Sequence, residues 1–189
     1  ITTGESPFIG GSKGLIVNFE PMGIQEDGVY TIYENENFPI ELTFKNKGEE
    51  GVASGSLSVE LKGVLLSDFS GIPSGILTNS EEVEAISDLN PEGGEIIIEF
   101  TPGDGAHYTQ SIPGTFYDVN TYASYTYRYK TYVSISQVCF KEDLRDKRIC
   151  EVEEAKEAFV SGAPIQVKDS VQERSAGTGK IALEFEVEN

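Results

Sequence analysis

Cys139 and Cys150 are the only cysteines of the chain, in the contexts VCF and RIC on either side of the charged run KEDLRDKR. Two strands joined by that run would bring the thiols across or beside one another. A disulfide there implies an oxidising compartment. Their spacing is no zinc pattern, and two thiols with one distant histidine make a poor metal set. The competing reading is a pair of buried free thiols acting as small hydrophobes. His107 is the only histidine, in GDGAHYTQ. Ser111 and Asp104 are near it in sequence, but no nucleophile elbow accompanies them, and a hydrolytic triad needs a nucleophile and an orienting acid in place. A surface-loop histidine is the better reading. Carboxylates abound, as in ENEN from Glu34 and EDG from Glu26. Any pair could flank a glycosidic bond, yet an acidic surface produces such pairs by chance. Calcium is the one ion worth considering, because hard cations accept clustered oxygens. Asp104, Asp118 and Asn120 lie in loops able to meet at one end of a sandwich, although no EF-hand loop is present. Solvated charge is the leading reading, so no cofactor is expected.

The run YASYTYRYKTY invites a stacking or sugar-binding interpretation. Its alternation divides it. Tyr125, Tyr127 and Tyr129 share parity with Val133 and Ile135 and should face a core. Tyr122 and Tyr132 share the outer face with Arg128 and Lys130. That stripe suits either cross-strand stabilisation or contact with an acidic copy of the same chain.

The elements that must position these residues read as antiparallel β-structure. Twenty Gly and eight Pro punctuate short alternating runs. Leu15, Val17 and Phe19 form the first. FPIELTFKNKG sets Phe38, Ile40, Leu42 and Phe44 on one face, with Pro39 at the strand start or on an open edge. Leu57, Val59 and Leu61 make a third, and Ile96, Ile98 and Phe100 a fourth. A loop rich in Ser, Gly and acids is expected from Ser67 to Gly94, with EEVEAISDL as a helical turn or an irregular strand. The longest pattern runs from Tyr122 to Phe140, broken only at Gln137, and a strand of that length bends or bulges. A return strand at Ile149 to Val152 would close its hairpin. EVEEAKEAF, from Glu151 to Phe159, is the single helix candidate, against a continuing strand. About seven or eight strands favour a β-sandwich over a closed barrel.

Charge and composition remove other classes. Asp and Glu total 32 against 14 Lys and Arg, a formal net charge of −18. Such a polyanion repels phosphate backbones and anionic membranes, so no nucleic-acid partner is expected. No apolar run approaches the ~20 residues of a membrane span. No basic-plus-apolar leader is visible either.

The two ends of the chain carry a further pattern. IELTFKN, ending at Asn46, is echoed by LEFEVEN, ending at Asn189, and GLIVNFEP by GAPIQVKDS. Either all amphipathic strands look alike, or a second sandwich begins near Ala163. The expected organisation is an extended leader over 1–14, a sandwich over 15–160, and over 161–189 either the first strands of a second domain or strands shared between subunits. Two strands alone are marginal in water. The apolar row Ile181, Leu183, Phe185 and Val187 must therefore be covered by chain beyond Asn189, by the first domain or by a neighbouring molecule. The leader, with Pro7, Phe8 and Ile9, is a second candidate for donation to an open edge, against simple disorder.

The segment from Glu36 to Gly48, ENFPIELTFKNKG, resembles the opening of an immunoglobulin-like domain of the CARDB type, found in archaeal and bacterial surface proteins. The order of elements is also similar to that of repeated immunoglobulin-like ectodomains of archaeal proteins. There a leader and a GL-apolar-F run come first, and a late cysteine hairpin follows; Ile16 to Phe19, Cys139 and Cys150 fit that order. The resemblance implies an all-β, immunoglobulin-like antiparallel sandwich that serves adhesion, spacing or assembly, and it brings no catalytic residues. The expectation is a non-catalytic extracellular or cell-surface protein. It would be a homo-oligomer or filament subunit in a sheath or adhesive ectodomain, built by strand pairing. The alternative is a glycan- or cation-dependent adhesive module using loop carboxylates and Tyr132, with cell-surface proteins or glycans as partners.

Overall fold

Strict alternation makes ELTFKN and LSVELK half-buried strands, and the structure places them back to back across a shared core. That structure, a computed structural model, describes residues 4–141, 148, 150–175, 177 and 179–189. In chain order the first strands are β1 (Leu15–Phe19), β2 (Ile24–Glu26), β3 (Val29–Thr31), β4 (Glu41–Asn46), β5 (Leu57–Lys62), β6 (Phe69–Ser70), β7 (Ile76–Thr78) and β8 (Glu95–Glu99). They are followed by β9 (His107–Tyr108), β10 (Tyr122–Tyr127), β11 (Val133–Ile135), β12 (Glu154–Ala155), β13 (Ala158–Val160), β14 (Gln166–Glu173) and β15 (Ala182–Glu188). Among the described residues the only helical turn is a 3-10 turn, Leu66–Asp68.

Two three-stranded antiparallel sheets, β1-β4-β8 and β10-β5-β7, form the sandwich. Leu42 and Phe44 of β4 and Leu57 and Val59 of β5 have no exposed surface, and all belong to one core cluster. Burying side chains of this size contributes roughly 1.5–3 kcal/mol each. Phe44 meets Tyr125 of the opposite sheet edge to face at 5.4 Å. Pro39 lies just ahead of β4, where its missing N–H costs no ladder bond. The connection from β4 to β5 is fixed by buried amides. Asn46 accepts from the Gly48 N–H at 2.9 Å and donates to the Glu50 carbonyl at 2.7 Å. Asn79, at the end of β7, accepts from the Leu57 N–H at 2.9 Å and donates to the Ala53 carbonyl at 2.9 Å.

Two expectations are corrected and one open choice is decided. The stretch from Ser67 to Gly94 is not one loop: it holds β6 and β7, and Val83 forms an isolated bridge to Val52 in the core. Over Glu151 to Phe159, where the sequence leaves helix and continuing strand open, the chain forms β12 and β13. Lys156, buried between them, exchanges two hydrogen bonds with Ser170 of β14, and such long-range pairing outweighs a two-turn helix with a costly nucleus. The long pattern from Tyr122 to Phe140 divides at Arg128–Tyr132, where the chain leaves β5 and takes up β13, and again at Gln137, whose φ is +56°. Of the expected hairpin tip, residues 142–147 lie outside the described residues, as does Ile149. Cys150 to Val152 are not in a strand.

Ladders after Tyr132 group differently from a boundary at 160. β11 pairs with β13, and β12-β14-β15 form a second small sheet. Strands β11 to β13, which the sequence assigns to the first sandwich, thus pair with one another and with β14.

Candidate functional site

Among the described residues the terminal hairpin β14–β15 ends in a strand paired on one side only. Its register sets Leu183 opposite Gln172, Phe185 opposite Ser170 and, past a bulge between Val167 and Asp169, Val187 opposite Val167. Residues directly opposite in an antiparallel pair share a face, so these six lie together. The other face of β15 carries Glu184, Glu186 and Glu188, with Glu188 ion-paired to Lys168. Among the described residues β14 is the only strand paired to β15, so its seven residues form a sheet edge. Ile181 is 36% exposed, Phe185 44% and Val187 60%, while Leu183 is half-buried. β4 is flanked by β1 and β8 and buries every second residue, whereas β15 has one neighbour and leaves its apolar row open.

The near end of this hairpin is anchored by the cysteine segment. Gln172 has no exposed surface, and its amide accepts from the Cys139 N–H and donates to the Cys139 carbonyl, both at 2.8 Å. A side chain thus makes the pair of bonds that a neighbouring strand would make. Cys139 and Cys150 are joined in a disulfide, with Cα atoms 5.9 Å apart. Nothing in the sequence signals this clamp, because a lone glutamine has no pattern and its partner is 33 residues away.

Tyr125, Tyr127 and Tyr129 line the inner side of their run, half-buried, and Tyr122, Arg128, Lys130 and Tyr132 its exposed side. The Tyr127 hydroxyl accepts from the Leu15 N–H at 3.1 Å, and Tyr129 donates to the Gly162 carbonyl. These close approaches need glycine: a Cβ on Gly48 would lie 1.8 Å from the Tyr129 hydroxyl. Burial pushes the Tyr129 phenol up to about 12. On the outer side, Lys130 and the Tyr132 hydroxyl both reach Glu50, each at 3.0 Å. The Glu50 carboxylate, by that hydrogen bond, holds the Lys130 ammonium above the usual lysine range. Arg128 and Lys130 stand two residues apart on this face, as Glu184 and Glu186 do on β15. Among the described residues β5 is the only strand paired to β10, so β10 is an edge as well.

The leader folds back on its own chain. Ile9 and Gly10 N–H groups donate to the Glu49 carboxylate, each at 2.9 Å, and the buried Gly162 N–H donates to the same group. Gly11 accepts from the Ala163 N–H and the Gln166 amide. Phe8 is half-buried, Pro7 and Ile9 exposed. Glu49, in the turn after β4, is thus the staple that ties the leader, the sandwich and the segment between β13 and β14 together, and it has no sequence signature.

Asp104 sits in the turn after Phe100, and Asp118 and Asn120 in the loop before β10, all three exposed. Among the described residues no group of three or more His, Cys, Asp or Glu side chains is placed to hold a metal ion. His107 lies in β9, opposite Ser70. Among the described residues no helix is long and apolar enough to cross a membrane.

No protein-family model matches the chain, and no curated protein or solved structure does so either.

Proposed function

We propose that this chain is a non-catalytic structural subunit, secreted or displayed at the cell surface, with an immunoglobulin-like sandwich that assembles with copies of itself by strand pairing. The observation that carries this reading is the open edge of β15, with Ile181, Phe185 and Val187 exposed along one row. An open edge of seven residues is a template for another strand, and its glutamates restrict which strand can add. The disulfide supports an oxidising compartment.

The occupant is the Tyr122–Tyr132 run of a second copy, the β10 edge together with the Arg128–Tyr132 segment that follows it. β15 against itself would set glutamates beside glutamates, which is destabilising. Against the Tyr122–Tyr132 run, Glu184 and Glu186 meet Arg128 and Lys130 at matching spacing, and the apolar row meets the tyrosine side. Such a contact joins two different patches, so it propagates head to tail into a filament or closes as a ring. Sedimentation velocity across a concentration series tests this. The wild type should form larger species with rising concentration, and Phe185→Glu should remain monomeric with an unchanged circular-dichroism spectrum. A wild type that stays monomeric throughout, or a variant that assembles equally well, would refute the reading.

A further inference from the structure

A second feature is independent of the strand edges. Phe38, Phe69, Tyr108 and Tyr117 form a chain of ring contacts with successive centroids 6.1, 5.3 and 5.7 Å apart. It runs from the core, where Phe38 is 9% exposed, to the surface, where Tyr117 is 52% exposed. These rings line a cleft of about 180 Å³, together with Tyr30 and Tyr33. Small-molecule sites run to roughly 300–1,000 Å³, and a cavity of roughly 150 Å³ admits a single benzene ring. The space therefore suits one planar group on a short stem and is too small for an oligosaccharide.

The turn Tyr33–Glu36 closes one side, with Asn35 at φ +70° and the Glu36 carboxylate bonded to the Tyr33 N–H at 3.3 Å. Glu34 and Glu36 both belong to the lining, which contains no Lys, Arg or His among the described residues. The walls offer π faces, the rim offers only negative charge, and the chain carries −18 overall. A neutral apolar group would leave the carboxylates unused, and an anion would be repelled. A guanidinium uses both features: it stacks flat on aromatic rings and forks onto a carboxylate.

We propose that this cleft is a receptor site for an arginine side chain presented by a partner protein. The planar head stacks against Tyr108 and Tyr117 while Glu34 takes its N–H groups, and the aliphatic stem lies on the apolar wall.

The test is an amide-resolved NMR titration of the whole chain with N-acetyl-arginine methylamide, its neutral citrulline analogue and methyl glucoside. The arginine probe should give saturable shifts confined to residues 33–36, Tyr108 and Tyr117, with roughly millimolar affinity. Binding should weaken at least about fivefold from 0.05 to 0.5 M salt, where screening shortens the Debye length. Citrulline should bind at least about tenfold more weakly, because it lacks the charge that carboxylate and π face both recognise. Glu34→Gln, with an unchanged thermal midpoint, and Tyr117→Ala should each weaken the arginine probe about five- to tenfold. Equal binding of citrulline and arginine, preference for the glucoside, shifts spread over the whole acidic surface, or no shifts at all would each overturn the proposal.

Discussion

Gln172 offers a perturbation whose energetics can be worked from two bonds. Its amide satisfies the N–H and the carbonyl of Cys139, both at 2.8 Å, from a fully buried position. Gln172→Met keeps the volume but leaves two buried backbone groups without partners. Each orphaned group costs roughly 1–3 kcal/mol, so the variant should lose about 2–6 kcal/mol at neutral pH. Gln172→Glu separates the hydrogen-bond argument from simple packing. Its carboxylate still accepts from the Cys139 N–H but sets an anionic oxygen against the Cys139 carbonyl, whereas the protonated acid regains the lost donor. Burial and that carbonyl both raise the folded-state pKa above the usual glutamate value of about 4.3. The contribution of the protonated acid is then fully present below the unfolded-state pKa and lost as pH rises through the folded-state one. Urea denaturation followed by tyrosine fluorescence, the chain having no Trp, reads this directly. The deficit of Gln172→Glu relative to wild type should be small near pH 4 and approach that of Gln172→Met near pH 7.5. A deficit independent of pH, or a Met variant within about 0.5 kcal/mol of wild type, would refute the role given to the clamp.

Glu49→Ala removes the acceptor of three backbone N–H groups, of which only the Gly162 donor is buried beyond the reach of water. It should cost about 2–4 kcal/mol, and hydrogen exchange should show protection lost at Ile9 and Gly10; unchanged protection there would contradict the staple. Tyr129 should be the last phenol to ionise in an ultraviolet titration, since burial lifts it to about 12. Its donor bond to Gly162 is then fully present below the ordinary tyrosine value of about 10 and lost as pH rises through about 12. Tyr129→Phe should abolish the late phase, and a late phase that persists would assign it to another tyrosine.

Those parts of the fold were legible where pattern alone determines burial. In β4, Leu42, Phe44 and Asn46 alternate with Glu41, Thr43 and Lys45, and the same logic recovered β1, β5 and β8 and the two faces of the tyrosine run. The all-β sandwich followed from these strands. Where a strand has two or three residues, its partner defines it. β7 pairs along three positions of β5 with Ile76 exposed, and β6 exists only through β9, so neither leaves a period to read. β12 and β13 were ambiguous because an acidic run of two turns suits a helix until Ser170 supplies bonds from elsewhere in the chain. The open row of β15 was readable as apolar alternation, but its exposure depends on sheet order. Gln172, Glu49 and the aromatic cleft were invisible for one reason: each is made by side chains or backbone groups distant in sequence.

The central claim is that β15 of one copy pairs with the Tyr122–Tyr132 run of the next, β10 and the segment after it, and a charge-exchange mixing experiment tests it most directly. Arg128→Glu with Lys130→Glu should abolish the large species seen by sedimentation velocity, and so should Glu184→Lys with Glu186→Lys. If the two edges meet, a chain carrying all four changes should recover assembly, because the pairs are restored with their signs exchanged. Mixing the two double variants should restore large assemblies of alternating composition, since their exchanged edges complement each other and their unchanged edges meet as in the wild type. Recovery of neither the quadruple variant nor the mixture, with both double variants folded, would contradict the account.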